Sequence, residues 1–432
     1  MQIPTAVQRA NFRYLYADIF WFGVLSGSTL ALLTVYVARL GGNSLQVGLI
    51  TAAPGLVNLL FSMPFGGWLQ RKPLLPVTVS SLFLHRLGYL VLVFLPWLFP
   101  PHREIWVIIV ITLLMYIPGT LQAIAFNALF AEVVEPEWRA EVVGKRFAIQ
   151  SFSISAASLL CGQLLDRVVF PLNYQLVFLI GALAALFSTY SVSRLVVGQK
   201  SAVGLYTALL SGNAPGTASS TLQIRPARKG RPSNRLDLLA AFSTWRSEWR
   251  LDLLHTPFGP FMGAYLAFYT VQYIPIPLFP LVQVRLLEMT DSQISFANAL
   301  FYTSLLIGSL VVSRLSQRKG HRWMLVQSGA WIFIFPLLYA IARSSQVVYL
   351  NNIIGGAIWA GLYNATTNRL MERVPENDRP AHMALHNLVM NLGMLGGSLL
   401  GSALGETLGL RQAMWLAAGL RLIGSYLLWR YG

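Results

Sequence analysis

The chain has little charge, less acid and almost no cysteine. Only 11% of its 432 residues are charged, and 16 acids stand against 32 lysines and arginines. An ordinary soluble domain carries about a quarter of its residues as charges, so the deficit excludes a water-exposed globular protein of this size. The single cysteine, Cys161, lies in an apolar run, which leaves no disulfide framework and no thiolate metal site. A His-x4-Asp acyltransferase motif, a metal-spaced histidine cluster and a nucleophile elbow are all missing. An enzyme is therefore not expected, and no cofactor is called for.

What is present is hydrophobic length. The composition is 55% hydrophobic and the mean hydropathy is +0.57. A helix needs about 20 apolar residues to cross the hydrocarbon core. Twelve runs meet that need: 17–39, 45–69, 74–99, 105–130, 143–167 and 173–197, then 257–283, 293–315, 322–342, 346–370, 381–405 and 409–430. The first is too long for a cleaved signal peptide and reads as a span. The net charge of +16 does not point to nucleic acid, because the cations fall in the gaps between apolar runs and form no polar domain. Twenty-four lysines and arginines collect on the side of the N-terminus and six on the other, with Arg86 and Arg421 inside spans. The positive-inside rule then puts both termini in the cytoplasm, which implies a multi-pass protein of the plasma or inner membrane.

The spans repeat. Gln70-Arg71-Lys72 returns as Gln317-Arg318-Lys319, and Gln46 returns as Gln293 at the same offset of 247 residues. Glu132 and Arg139 recur as Glu372 and Arg379, again seven apart. A period this long means duplication of a whole bundle, the internal symmetry of transporters. The fold class expected is all-α, twelve transmembrane helices in two pseudo-symmetric six-helix bundles. Its parts are a first bundle, 1–197, a cytoplasmic linker, 198–256, and a second bundle, 257–432. Within the linker, Leu238, Phe242, Trp245, Trp249 and Leu253 recur at helical spacing, so 235–254 reads as an amphipathic helix at the membrane surface. Gly393, Gly397, Gly401 and Gly405 form a stripe on the eleventh span that admits a close neighbour, and Ser153, Ala157 and Cys161 form a milder one on the fifth.

Twelve spans in two halves, a long middle loop and a basic motif after the second and eighth spans resemble the major facilitator superfamily over the whole chain. That family's loop runs Gly-x-Leu-x-Asp-Arg-x-Gly-Arg-Arg. Here the first copy, Gly66 to Leu75, keeps the first glycine and the arginine, and Gln70 stands where the family has its acid. The second copy, Ser313 to Arg322, has Gln317 in that place. The resemblance implies gating by these loops, through Gln70, Arg71, Gln317 and Arg318, and by Glu132, Arg139, Glu372 and Arg379 at the cytoplasmic ends of the fourth and tenth spans. Solvated loop charge is the plainer reading of those last four. It also implies a small-molecule solute as partner besides the lipid bilayer, a monomer, and a cavity lined mainly by the first, fourth, seventh and tenth spans.

Ionisable groups inside spans are costly and therefore candidates for function. They are Asp18, His85, Arg86, His386 and Arg421, with no acid near the midplane of any span. A carboxylate that would attract a cation and exchange a proton is thus missing. Neutral polar and aromatic residues on the expected lining spans make Trp21, Gln122, Tyr269, Gln272, Trp359 and Asn364 the candidate substrate contacts; hydrogen bonding between helices explains each equally well. Arg86 has two readings: a structural partner of carbonyls or of Asp18, and a cation whose field reaches the cavity. Pro275 to Pro280 is expected to unwind part of the seventh span. The function expected is alternating-access transport of a neutral, anionic or amphipathic organic solute, with a non-transporting scaffold of the same fold as the rival.

Overall fold

A computed structural model describes residues 4–70, 72–197, 251–374 and 378–432. Among them are twelve long helices: α1 (Ala6–Arg39), α2 (Ser44–Leu69), α3 (Leu74–Leu98), α4 (Pro101–Val133), α5 (Pro136–Arg167), α6 (Leu172–Ser193), α7 (Phe258–Leu286), α8 (Asp291–Lys319), α9 (His321–Ile341), α10 (Ser345–Arg373), α11 (Arg379–Leu408) and α12 (Leu410–Tyr431). Ten have the length and apolarity to cross a membrane; α10 and α12 are less apolar but as long as their neighbours. The surface helix expected at 235–254 lies outside the described residues up to 250. Its last turn is a 3-10 helix, Leu251–His255.

The sequence repeat marks helix starts. In α2 Asn43 caps the backbone of Gln46, and the Gln46 side chain returns a bond to Asn43, each at 2.9 Å. Thr290 and Gln293 make the same box at the start of α8. Such boxes satisfy two of the four free amides at a helix start, so the glutamines recur because the two helices begin alike.

Most helices overrun their apolar runs. The largest difference is in α1, which starts at Ala6 and not near residue 17. Asp18, expected near the cytoplasmic end, therefore lies twelve residues into its helix, as Arg86 does in α3. At 1.5 Å per residue both stand about 18 Å from their helix starts, at one depth. In α7 helix stops at Tyr273 and resumes at Leu278, the break foreseen from its prolines. A second break parts α9 between Trp331 and Ile334.

At the end of the bundle that carries the termini, each half has a core of its own. Leu15, Leu82, Leu129 and Val192 form one, and Met262, Phe268, Leu325 and Leu428 form the other. Smaller contacts join them, Met63 of α2 with Ala384 of α11 and Phe147 of α5 against the second core. At the opposite end a single core joins the halves: Leu33, Tyr36, Val47 and Tyr174 from the first pack with Leu278, Leu281, Tyr339 and Met414 from the second. Along the seam α2 lies against α11 and α5 against α8. The glycine stripe of α11 is where α7 comes closest. A side chain at Gly401 would strike the carbonyl of Ile274, and one at Gly397 that of Thr270.

Candidate functional site

Between the halves, bounded by α1, α5 and α8, lies a cavity of about 260 Å³. Its polar lining is Ser26, Gln150, Ser151, Asn298 and Tyr302, and its apolar wall includes Leu30, Phe147, Ile154 and Leu305. No charged side chain borders it. Ser26 lies in a π-helical turn of α1, Ser26–Leu30, and donates to the carbonyl of Phe22 at 2.8 Å. The Asn298 amide donates to Ser158 at 2.7 Å, and Ser158 donates to the carbonyl of Gly27 at 3.0 Å. This chain ties α8 to α5 and α1 and holds the Asn298 side chain at the cavity wall.

Toward the joined end, polar links cross between the halves. Arg39 on α1 meets Asp291 on α8 at 3.0 Å and donates to the carbonyl of Met289 at 2.5 Å. Tyr174 donates to the same carboxylate at 2.9 Å. Arg285 reaches the carbonyl of Gly42 at 2.6 Å, and Glu406 accepts from the Ser44 amide at 2.9 Å. At the end with the termini the polar contacts given by the gating candidates stay within one half. Arg139 turns back onto the carbonyls of Ala131 and Val134, at 2.7 and 3.0 Å, and so ties α5 to the end of α4. Glu372 pairs with Arg369 on its own helix at 2.8 Å. Glu132 and Gln70 are half-buried, while Gln317 and Arg318 are exposed. Arg71 and the side chain of Arg379 lie outside the described residues.

Arg86 is buried, and its surroundings explain why a cation is tolerated there. Its guanidinium donates to the Ala185 carbonyl at 2.8 Å and to the Thr189 hydroxyl at 2.7 Å, both on α6, and stands 3.9 Å from Asp18. Asp18 also accepts from Ser188 at 2.5 Å and from Arg146 at 3.1 Å. Arg146 in turn lies over the ring of Phe126 at 5.1 Å. A carboxylate shared by two guanidiniums and a hydroxyl is a closed network, which is the condition for keeping charge in a low-dielectric interior.

The other candidates are scattered over both halves, and none of them borders the cavity. Trp21 stacks on Phe187 of α6, with ring centroids 4.9 Å apart. Gln122 is half-buried on α4. Tyr269 shares a 3.1 Å hydrogen bond with His386 of α11. Gln272 is buried, and its side-chain oxygen has no partner among the described residues. Trp359 packs beside the core of the second half, and Asn364 accepts from Asn368 at 2.7 Å. The lining residues Gln150, Ser151 and Tyr302 escaped notice in the sequence because they lie on α5 and α8, helices not expected to lead.

Buried ionisable groups, proline-broken helices and a cavity between two joined halves define a class: a multi-pass membrane protein built of two helical bundles. The sequence profile of the Major Facilitator Superfamily matches residues 261–432. Solved structures agree in fold over nearly the whole chain. A bacterial homologue of the iron transporter ferroportin, in its inward-facing state, is 14% identical with a TM-score of 0.69, covering 100% of this chain and 99% of its own. A D-xylose–proton symporter is 13% identical with a TM-score of 0.66, covering 98% and 97%. The nucleoside transporter NupG is 13% identical with a TM-score of 0.61, covering 99% and 99%. A search of curated proteins by sequence finds no match. The chain has the major-facilitator fold, and its second half carries the sequence signature of the Major Facilitator Superfamily.

Proposed function

We propose that this protein is a secondary transporter that carries a small, uncharged, polar organic solute by alternating access, and that the cavity between α1, α5 and α8 is the solute site. The observation that carries the reading is the unequal joining of the halves. One end is closed by a large common apolar core and crossed by the Arg39–Asp291 ion pair, while at the other end each half has a core of its own and the halves meet in smaller contacts, Met63 with Ala384 among them. Opening the sealed end requires that core to part. With the basic loops on the cytoplasmic side, the sealed end faces outward and the arrangement is an inward-facing one.

Among neutral, anionic and amphipathic cargo the lining favours the neutral. An anion desolvated in the cavity needs a cation or a convergent set of donors. Arg86 and Arg421 are both engaged elsewhere, and the wall offers only an amide, hydroxyls and an asparagine. The volume holds about nine waters at liquid density, which suits a solute of monosaccharide size. D-xylose and nucleosides, named as the cargo of two structural relatives, are of that chemistry.

Counterflow in proteoliposomes against pentoses, nucleosides, organic anions and organic cations tests the proposal. Uptake of a neutral member is expected, with KM raised about tenfold by Gln150→Ala or Asn298→Ala, the effect of leaving a bound hydroxyl without its partner. Uptake confined to anions would overturn the assignment of class. No movement of any solute would favour a scaffold.

A further inference from the structure

The second half buries an arginine, Arg421 on α12, with a relative exposure of 1% and no carboxylate paired to it among the described residues. Its partners are two backbone carbonyls, and both have lost their helical donors to prolines. In α7, Pro277 has no N–H to give the carbonyl of Tyr273. The N–H of Ile276 bonds that carbonyl instead, at 3.2 Å, and so leaves the carbonyl of Gln272 without its own donor. Arg421 Nη2 donates to Gln272 at 2.8 Å. In α9, Pro336 withholds the N–H that would reach Ile332, whose carbonyl keeps only a 3.3 Å bond from Phe335. Arg421 Nη1 donates to Ile332 at 3.0 Å. One turn on, Ser425 donates to the Gly329 carbonyl at 2.5 Å, beside the same break.

Both breaks fall where the cores change. In α7, Met262, Tyr265 and Phe268 belong to the second half's own core, while Leu278, Leu281 and Val282 belong to the core shared between halves. In α9, Met324 and Leu325 belong to the first kind and Tyr339 and Ala340 to the second. Arg421 lies between Leu428, in the half's own core, and Met414, in the shared one. A planar fork of donors suits two carbonyls on different helices, which the single ammonium of a lysine does not.

We propose that Arg421 is a positioning residue of the transport cycle: by replacing the hydrogen bonds that the prolines remove, it ties the outer segments of α7 and α9 to α12, so that the three part from the first half as one body. Its consequence for transport rests on the alternating-access reading, but its test needs no solute. Reporter cysteines are placed singly at Leu281, in the shared core, and at Met262, in the half's own core, in a Cys161→Ala background. Both positions are fully buried. Labelling by a water-soluble maleimide in nanodiscs reads how often each opens. Arg421→Met is expected to raise the rate at 281 about tenfold, the shift that loss of one charge-assisted hydrogen bond brings, and to leave the rate at 262 unchanged. Adding Pro336→Ala, which restores an N–H for Ile332, is expected to return the rate at 281 part of the way. An equal rise at both positions would mean ordinary destabilisation, and no rise at either would mean that the carbonyls do not need the arginine; each overturns the proposal. Should Arg421→Met fail to fold, Arg421→Lys keeps the charge without the fork, and the same two-position comparison decides.

Discussion

The two halves solve the same problem from opposite sides. In the first, a guanidinium on α3 reaches α6 and α1; in the second, one on α12 reaches α9 and α7. These are the equivalent three helices of each six-helix repeat, with the arginine moved from the third to the sixth. The acceptors differ as well. Arg86 has a carboxylate, Asp18, whereas Arg421 has carbonyls freed by prolines. The glycines change sides too. Gly23 and Gly27 of α1 lie against Ser153, Ile154 and Ala157 of α5, while in the second half it is α11 that supplies the glycines and α7 that packs on them. Duplication preserved the place where three helices must be tied and where two must touch. It did not preserve which helix supplies the donor or the small residue, because either partner can meet the same geometric need.

The largest effect is expected where the comparison is between a charge and a backbone group. Asp18→Asn leaves Arg86 and Arg146 buried without their shared counter-ion, and removing one member of a buried ion pair costs about 3–5 kcal/mol. A marked fall in melting temperature of the purified protein is expected, partly reversed by adding Arg86→Gln. In the second half, Gln272→Leu leaves the carbonyl that Arg421 uses in place and removes an oxygen that has no partner among the described residues. It is expected to change stability by less than about 1 kcal/mol. Equal melting of the two variants would show that the difference between the halves has no energetic content.

A smaller effect sharpens the packing side of the comparison. Gly401→Ala drives a methyl group onto the Ile274 carbonyl at the break of α7, and overpacking of this kind costs about 1–3 kcal/mol. Gly396, on the same helix but off the stripe, faces open space, so Gly396→Ala is expected to be neutral or to gain up to about 1 kcal/mol from helix propensity. Thermal melting of the pair measures the difference, and a stabilised Gly401→Ala would refute the close approach of α7.

The smallest effect concerns the seam. Arg39 and Asp291 are partly exposed, with side chains at 26% and 11%, and such a pair is worth about 1 kcal/mol. Asp291→Asn is expected to raise maleimide labelling of a cysteine at Val284 about fivefold. Unchanged labelling would show that the shared apolar core closes that end alone.

The legible part of the fold was local. Apolar length located all twelve helices within a few residues at most ends. It failed at α1, where the helix continues eleven residues before the apolar run and carries Asp18 to the depth of Arg86. The four-residue spacing of Gly393 to Gly405 marked the contact face of α11, because a stripe of missing side chains has no other packing use. The cavity was less legible. Gln150 and Tyr302 sit on helices of different halves and line one space only because α5 packs on α8 across the seam. Arg421 was visible as a buried cation, but its partners were not, since backbone carbonyls have no signature in sequence beyond the prolines that free them.

By itself the sequence determined that the chain spans a membrane, that it does so in two related sets of six helices, and on which side its cations gather. Each of these follows from a sum over neighbouring residues, either the transfer of apolar length into lipid or the retention of positive loops. Only the tertiary structure decided which end is sealed, what lines the cavity and what each buried arginine holds. Those depend on contacts such as Arg39 with Asp291, 252 residues apart, and Arg421 with Gln272, 149 apart. At such separations nothing local favours one partner over another, and the choice falls to the packing of the whole bundle.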